Sequence, residues 1–320
     1  MGYRFAAGFK SALCGFAAIL ALSAGQVRAE EPTIRVFTGS TAHWADLVVA
    51  NEKGFFKEEG IQVEPTYFTT GAAATESFLA GRGDIVLTCE LASVGMWKKG
   101  SVVGISRQAR LFDQEFLVVR GDVETPKDLE GKTVATRFGS TVEYFLRKLI
   151  ADEGLDPSKI NIINLEPADM VVALDSGSIQ GYANYIPFPQ LSMRATKDAK
   201  ILATSGKYIQ ENCIYSATRT FAEESKPLIV SFLRAIRRGG EYVEKNVDES
   251  AQIVAAEFKG KAENMKLVME GMDFAVGYDR DFRRNMQAVS DFFDLGPIDW
   301  SAWFDPSALQ TVAPDSIEAD

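Results

Sequence analysis

An α/β fold in two lobes is predicted by three features of the chain. Strand-like and helix-like runs alternate from Ile34 onward, a polar joint at Gly121–Gly131 interrupts them, and the alternation then starts again. The two halves also share a phrase. SFLAGRGDIVLT at Ser77–Thr88 and VALDSGSIQGYAN at Val172–Asn184 each lead from a short helix through glycine into a strand.

Taken in order, Ile34–Phe37 is a short strand that runs into the polar turn Thr38–Ala42. Trp44, Leu47 and Val48 then recur at helical spacing through His43–Lys53, which Gly54 ends. Gln62–Phe68 is a second strand, Thr69-Thr70-Gly71 a turn, Ala72–Ala80 a helix, Asp84–Thr88 a third strand and Glu90–Lys99 a helix. This order predicts a mostly parallel sheet. Val102–Leu111 and Glu115–Val119 are two further β-like runs.

The second half opens on the apolar strand Thr133–Thr136, a turn at Gly139, and a helix on which Tyr144, Phe145, Leu149 and Ile150 are spaced for one face. Ser140 or Thr141 is suited to cap it. A helix start above a strand points free amides and a positive dipole end at an anion or polar group, and Arg137 in the same turn adds a forked donor. Strand Ile160–Leu165, helix Ala168–Asp175 and strands Gly181–Asn184, Lys200–Ala203 and Cys213–Ala217 follow. Helices are predicted over Ser225–Lys245, Ser250–Phe258, near Asn264–Met272 and over Arg280–Leu295.

The 320 residues suffice for two lobes with proper cores at 46% apolar content, and a net charge of −10 without a basic block excludes a nucleic-acid or anionic-membrane binder. Residues 1–29 read as a cleaved export signal, with Arg4 and Lys10 ahead of an apolar run and Val27-Arg28-Ala29 at a cleavage position. The expected location is therefore the periplasm. Beyond that segment two cysteines remain, Cys89 and Cys213, read here as buried free thiols, although an exported chain can pair them.

The run AHWADLVVANEKGFFKEEGIQVEPTYFTTGAAATESFLAGRGDIVLT resembles the first lobe of the substrate-binding proteins of ABC importers for nitrate, sulfonates, taurine and pyrimidine precursors. PKDLEGKTVAT at Pro126–Thr136 is similar to the opening of that family's second lobe, and LEPADMVVALDSGSIQGYANYIPFP at Leu165–Pro189 to its segment ending near the ligand. The resemblance covers Thr33–Glu244 and implies a type II periplasmic binding protein, two open α/β lobes joined by two crossing strands. The crossings are expected at Glu115–Val119 and near Asn212–Ala217. Residues 30–118 and 213–320 would form the first lobe, and residues 119–212 the second.

The same resemblance implies ligand contacts at Ser40, Thr41, His43 and Trp44, at Thr70, Gly71 and Ala72, at Cys89 and Glu90, at Arg137, Ser140 and Thr141, and at Asn184 and Tyr185. It implies a small organic ligand, led by an aliphatic sulfonate or taurine-like compound, with a pyrimidine or other nitrogen heterocycle as the alternative. A permease in the inner membrane is the implied partner of a monomeric carrier without cofactor or metal.

Each residue also has a plainer role. His43 is the single histidine, so no metal cluster or catalytic base is expected of it. The pyrimidine-precursor synthases related to this family use a histidine as reactant, which keeps an enzyme as the lesser reading. Trp44 serves equally well to stack on a ligand or to pack the first helix, and Arg137 either faces the cleft or is a surface charge. Glu90, Asp113 and Glu115 lie where an anion-only pocket would not want them. They favour an amine or ring nitrogen, and a zwitterion would satisfy both sets.

Overall fold

The computed structural model describes residues 31–68 and 71–318. The segment read as an export signal and Thr70 lie outside the described residues.

The first lobe is built on β1 (Thr33–Gly39), β2 (Gln62–Phe68) and β3 (Ile85–Cys89), with β1 parallel to both of the others. Helix α1 (Ala45–Glu52) follows β1, and the one-turn α2 (Phe55–Glu58) leads to β2. Helix α3 (Gly71–Ser77) then precedes β3, and α4 (Glu90–Trp97) follows it. β4 (Val102–Leu111) is nearly all buried and pairs antiparallel with a strand from much later in the chain.

The second lobe holds β5 (Glu115–Val119), β6 (Thr133–Thr136), α5 (Thr141–Asp152), β7 (Asn161–Asn164) and α6 (Pro167–Asp175). β8 (Gly181–Tyr185), α7 (Phe188–Ala195) and β9 (Lys200–Thr204) complete it. β10 (Glu211–Thr218) returns to the first lobe, followed by α8 (Arg219–Glu224), α9 (Lys226–Lys245), α10 (Val247–Phe258), α11 (Ala262–Glu270), β11 (Met272–Asp273) and α12 (Arg280–Phe292).

The strands form a six-stranded sheet in the order β11-β4-β10-β3-β1-β2 and a five-stranded sheet in the order β7-β6-β8-β5-β9. Both are mixed rather than mostly parallel. β10 runs antiparallel to β3 and β4, and β5 runs antiparallel to β8 and β9. A strand entered from the other lobe arrives at the end where the parallel strands finish, so it must run the opposite way.

The crossings themselves fall between strands. β5 pairs only within the five-stranded sheet and β10 only within the six-stranded one, so the chain changes lobe at Phe112–Gln114 and at Ser205–Gln210, not within Glu115–Val119 or Asn212–Ala217. The carboxylate of Asp113 accepts a hydrogen bond from Gly206 N at 2.9 Å and ties the two crossings together. A Cβ on Gly206 would stand 2.6 Å from that carboxylate oxygen, so any larger residue there would displace the Asp113 side chain from this contact.

The core of the first lobe lies between the sheet and α1 and α9. The Phe56 ring stacks on Phe232 at 5.6 Å, and Tyr215 meets Phe232 edge-on at 5.1 Å. Six successive residues of α1, Ala45–Ala50, are buried there, and α9 buries the face that carries Ile229, Phe232, Leu233, Ile236 and Val243. α12 does something the expected return to the first lobe does not include. Phe282 and Met286 pack in a first-lobe cluster, while Val289 and Phe293 reach the core of the second. Its start is fixed by Asp279, whose one oxygen caps Phe282 N at 2.8 Å and whose other oxygen pairs with Arg107 and Arg110.

Candidate functional site

The carboxyl ends of β1, β3, β6 and β8 are where open α/β sheets present ligand-binding loops. Between them, at the level of the two crossings, three carboxylates are buried. Glu90 opens α4, Glu115 opens β5 and Glu211 opens β10, with exposures of 1%, 4% and 7%. Asn212, fully buried, donates from its backbone N and from Nδ2 to Glu90 Oε1, the latter at 3.0 Å. Its own Oδ1 has no hydrogen-bond partner.

The cluster belongs to both lobes. Thr141, the first residue of α5, faces the Glu211 carboxylate, and Tyr144 one turn later lies within electrostatic reach of Glu90. Leu91 packs on the core of the second lobe, and Ile186, from the loop after β8, packs on that of the first. Among the described residues none of the three glutamates has a lysine or arginine partner. Burial therefore pushes Glu90 up to about 8, with Glu115 adding like-charge repulsion. Burial lifts Glu211 well above the usual carboxylate range, again with Glu115 beside it. The Tyr144 hydroxyl is held up at about 12 by burial and by Glu90.

Cys89 ends β3 and Cys213 stands directly opposite it on β10, and the two form a disulfide. The expectation of free thiols is corrected. Directly opposed residues of an antiparallel pair put their side chains on the same face within bonding reach, a proximity that a sequence separation of 124 conceals. Glu90 follows one cysteine and Asn212 precedes the other, so the disulfide pins the two sides of the Glu90–Asn212 contact. The two sulfurs and the Glu211 carboxylate lie within 4.8 Å of one another, but the sulfurs are spent on each other rather than on a metal ion.

The other residues expected at the site divide. Ser40 is exposed, and both its N and its Oγ donate to Phe68 O, at 2.9 and 3.1 Å, closing the ends of β1 and β2. Thr41 Oγ1 and His43 Nδ1 are 3.0 Å apart. Burial pushes the His43 ring down to about 4, so it is neutral near pH 7. Gln114 is its polar neighbour, but no hydrogen bond of ordinary geometry reaches Nε2. Trp44, 5% exposed, packs in the first-lobe core rather than offering a stacking face. Gly71 begins α3, its carbonyl accepting from Thr75 Oγ1, and Ala72 is in the first turn of that helix.

On the second lobe, Arg137 is half-exposed, with Nε 3.2 Å from Glu166 and Nη1 donating to Asn164 Oδ1 at 3.2 Å. Its charge is already answered. Ser140 holds the N-cap position of α5, but its hydroxyl donates back to Arg137 O, and the Glu143 carboxylate accepts from Gly139 N at 2.7 Å. The expected hydroxyl cap is thus absent, and Glu143 ties down the turn ahead of the helix instead. Asn184 is buried and consumed internally, its Nδ2 on Pro167 O and its Oδ1 accepting from Tyr185 N. Tyr185 is 39% exposed, edge-on to Phe188 at 5.7 Å, ahead of the cis Ile186-Pro187 bond.

Sequence reasoning missed Glu211, Asn212 and Tyr144. A signal existed for the first two: a Glu-Asn pair opens an otherwise apolar strand immediately after a lobe crossing. Asp113, by contrast, pins the hinge instead of lining the cleft. A cavity of 440 Å³ between α1, β2 and α10, lined in part by Val48, Tyr67 and Gln252, includes none of these turns.

A family model described as NMT1/THI5 like matches residues 41–250. The chain belongs to the NMT1/THI5-like family. Over 223 residues, 68% of this NMT1/THI5-like chain and 68% of the relative, it is 27% identical to the taurine-binding periplasmic protein of Escherichia coli strain K12. Its fold matches the periplasmic aliphatic sulphonate binding protein SsuA from Escherichia coli with a TM-score of 0.73 at 18% identity, over 83% of this chain and 88% of that one. It also matches the ligand binding component of an ABC-type import system from Staphylococcus aureus with a TM-score of 0.75 at 15% identity, over 88% and 99%. The fold of this NMT1/THI5-like protein is the type II periplasmic binding protein fold. No helix among the described residues is long and apolar enough to cross a membrane.

Proposed function

We propose that this protein is the exported solute-binding component of an ABC importer, and that it captures a small organic molecule between its lobes and delivers it to an inner-membrane permease. The observation that carries the reading is the polar cluster at the crossings, to which strand ends and helix starts of both lobes contribute. Lobe motion about Phe112–Gln114 and Ser205–Gln210 would uncover and cover it, and a ligand with higher affinity for the covered state would draw the lobes together.

A taurine-like aminosulfonate leads, supported by the family and by the named relative. Its amine suits the carboxylates and its sulfonate suits the start of α5, where the helix dipole favours an anion. A pyrimidine or other nitrogen heterocycle is the second reading, favoured by the same carboxylates and by the exposed Tyr185 ring.

Native mass spectrometry of protein purified from a host periplasm tests the carrier role. A stoichiometric small-molecule adduct that is recovered unchanged on unfolding is expected. No adduct, together with chemical turnover of an added candidate, would favour the pyrimidine-precursor synthase reading instead.

A further inference from the structure

We infer that the Glu90, Glu115, Glu211 and Asn212 cluster is a receptor for a protonated nitrogen, so that the ligand is a cation or zwitterion with N–H donors and a nitrogen-free oxyanion is not bound. The inference rests on the carrier reading and narrows it.

Two independent observations meet here. Three carboxylates converge from α4, β5 and β10, each buried by more than nine-tenths and none with a basic partner among the described residues. Glu90 accepts from Asn212 and Glu211 is bonded to Glu115 and Thr141, but the three together have no cation, and a cation bound there would release the protons that burial holds on Glu90 and Glu211. Asn212 donates only to Glu90 and leaves Oδ1, a fully buried acceptor, with nothing to accept from. An unmet acceptor beside three carboxylates asks for a donor-only group, and an ammonium or amidinium supplies both the N–H bonds and the charge.

The same geometry rejects a simple oxyanion. Arg137, the basic side chain of the α5 turn, is already engaged by Glu166 and Asn164. His43 is kept neutral by burial. An anion drawn to the start of α5 therefore finds no free cation there and lies beside the acidic group of Glu211, Glu115 and Glu90.

Isothermal titration calorimetry of the full exported chain with matched probes tests this. Taurine and isethionate share a sulfonate and differ at one end, ammonium against hydroxyl. Ethanolamine and acetamidine carry a protonated nitrogen without a sulfonate. At least one nitrogen-bearing probe is expected to bind, isethionate is expected not to, and Glu211→Gln and Glu90→Gln are each expected to weaken the bound probe at least about tenfold. Both substitutions keep size while removing the charge and one acceptor oxygen. Circular dichroism verifies each fold, and if one variant does not fold, the other and the wild-type probe comparison decide.

Isethionate binding as tightly as taurine would overturn the inference and leave the carrier reading standing. Two folded glutamine variants with unchanged affinity would do the same. Failure of every nitrogen-bearing probe also overturns it, whereas the carrier reading is decided separately by what co-purifies.

Discussion

Asn212 Nδ2 lies 3.0 Å from Glu90 Oε1, across the gap between the start of β10 and the start of α4. That contact sits one residue from the disulfide on each side, within the first lobe and at the level of the two crossings.

The first consequence is a pH dependence of stability. Burial holds Glu90 at about 8, above its unfolded value of 4.5, so the folded state keeps a proton that the unfolded chain loses. This contribution is fullest below pH 4.5 and is lost as pH rises towards 8. His43, depressed from 6.5 to about 4, acts oppositely at lower pH, because the unfolded chain takes up the proton first. Above pH 6.5 the His43 contribution is therefore out of the way. Between pH 6.5 and 8, denaturant titration of the ligand-free protein should show a loss of about 1–2 kcal/mol from Glu90. Asp46, buried and raised to about 7, and Glu211, raised well above its usual range, act in the same direction, so Glu90→Gln should flatten the profile without levelling it. An unchanged slope in Glu90→Gln would refute the assignment.

The hinge gives a second prediction. Asp113→Ala removes the acceptor for Gly206 N and should cost about 1 kcal/mol in urea unfolding. Gly206→Ala should cost more, because its new Cβ meets the same carboxylate. Equal stability of both variants and the wild type would mean that the crossings are not held at this point.

Reduction is the third. The disulfide closes a long loop between β3 and β10, so dithiothreitol, or the double substitution of Cys89 and Cys213 by serine, should lower stability by about 2–4 kcal/mol. It should also weaken ligand binding, since Glu90 and Asn212 flank the two cysteines. A folded, reduced protein with full affinity would separate the disulfide from the site.

Arg137 supplies a prediction of small effect. Its guanidinium is half-exposed and already paired, so Arg137→Ala should change stability by about 0.5 kcal/mol or less, and ligand affinity by less than about fivefold, in thermal and calorimetric assays. A hundredfold loss of affinity would restore the anion-clamp role.

Local features of the fold were legible in the sequence. Val102–Leu111, Glu115–Val119 and Thr133–Thr136 are strands at the expected bounds; short apolar and β-branched runs between turns mark the last two, while Val102–Leu111 keeps its strand although Ser106, Arg107, Gln108 and Arg110 interrupt it. The alternation of strand and helix gave the lobes, and the quoted motifs gave their pairing into a binding protein. What stayed hidden is non-local. The antiparallel entry of β5 and β10, the Cys89–Cys213 pairing and the reach of α12 into both lobes each depend on contacts between distant segments. Glu90 was visible because it follows a recognisable strand end. Glu211 and Asn212 looked like an ordinary strand start until β10 placed them beside it.

A crystal structure of the protein purified with its natural ligand tests the central claim most directly. The account predicts density for a small molecule between α4, α5 and the start of β10, with a nitrogen within hydrogen-bond distance of Glu90 or Glu211 and of Asn212 Oδ1. Density for the ligand elsewhere, with the three glutamates still in contact with one another and with nothing else, would contradict it.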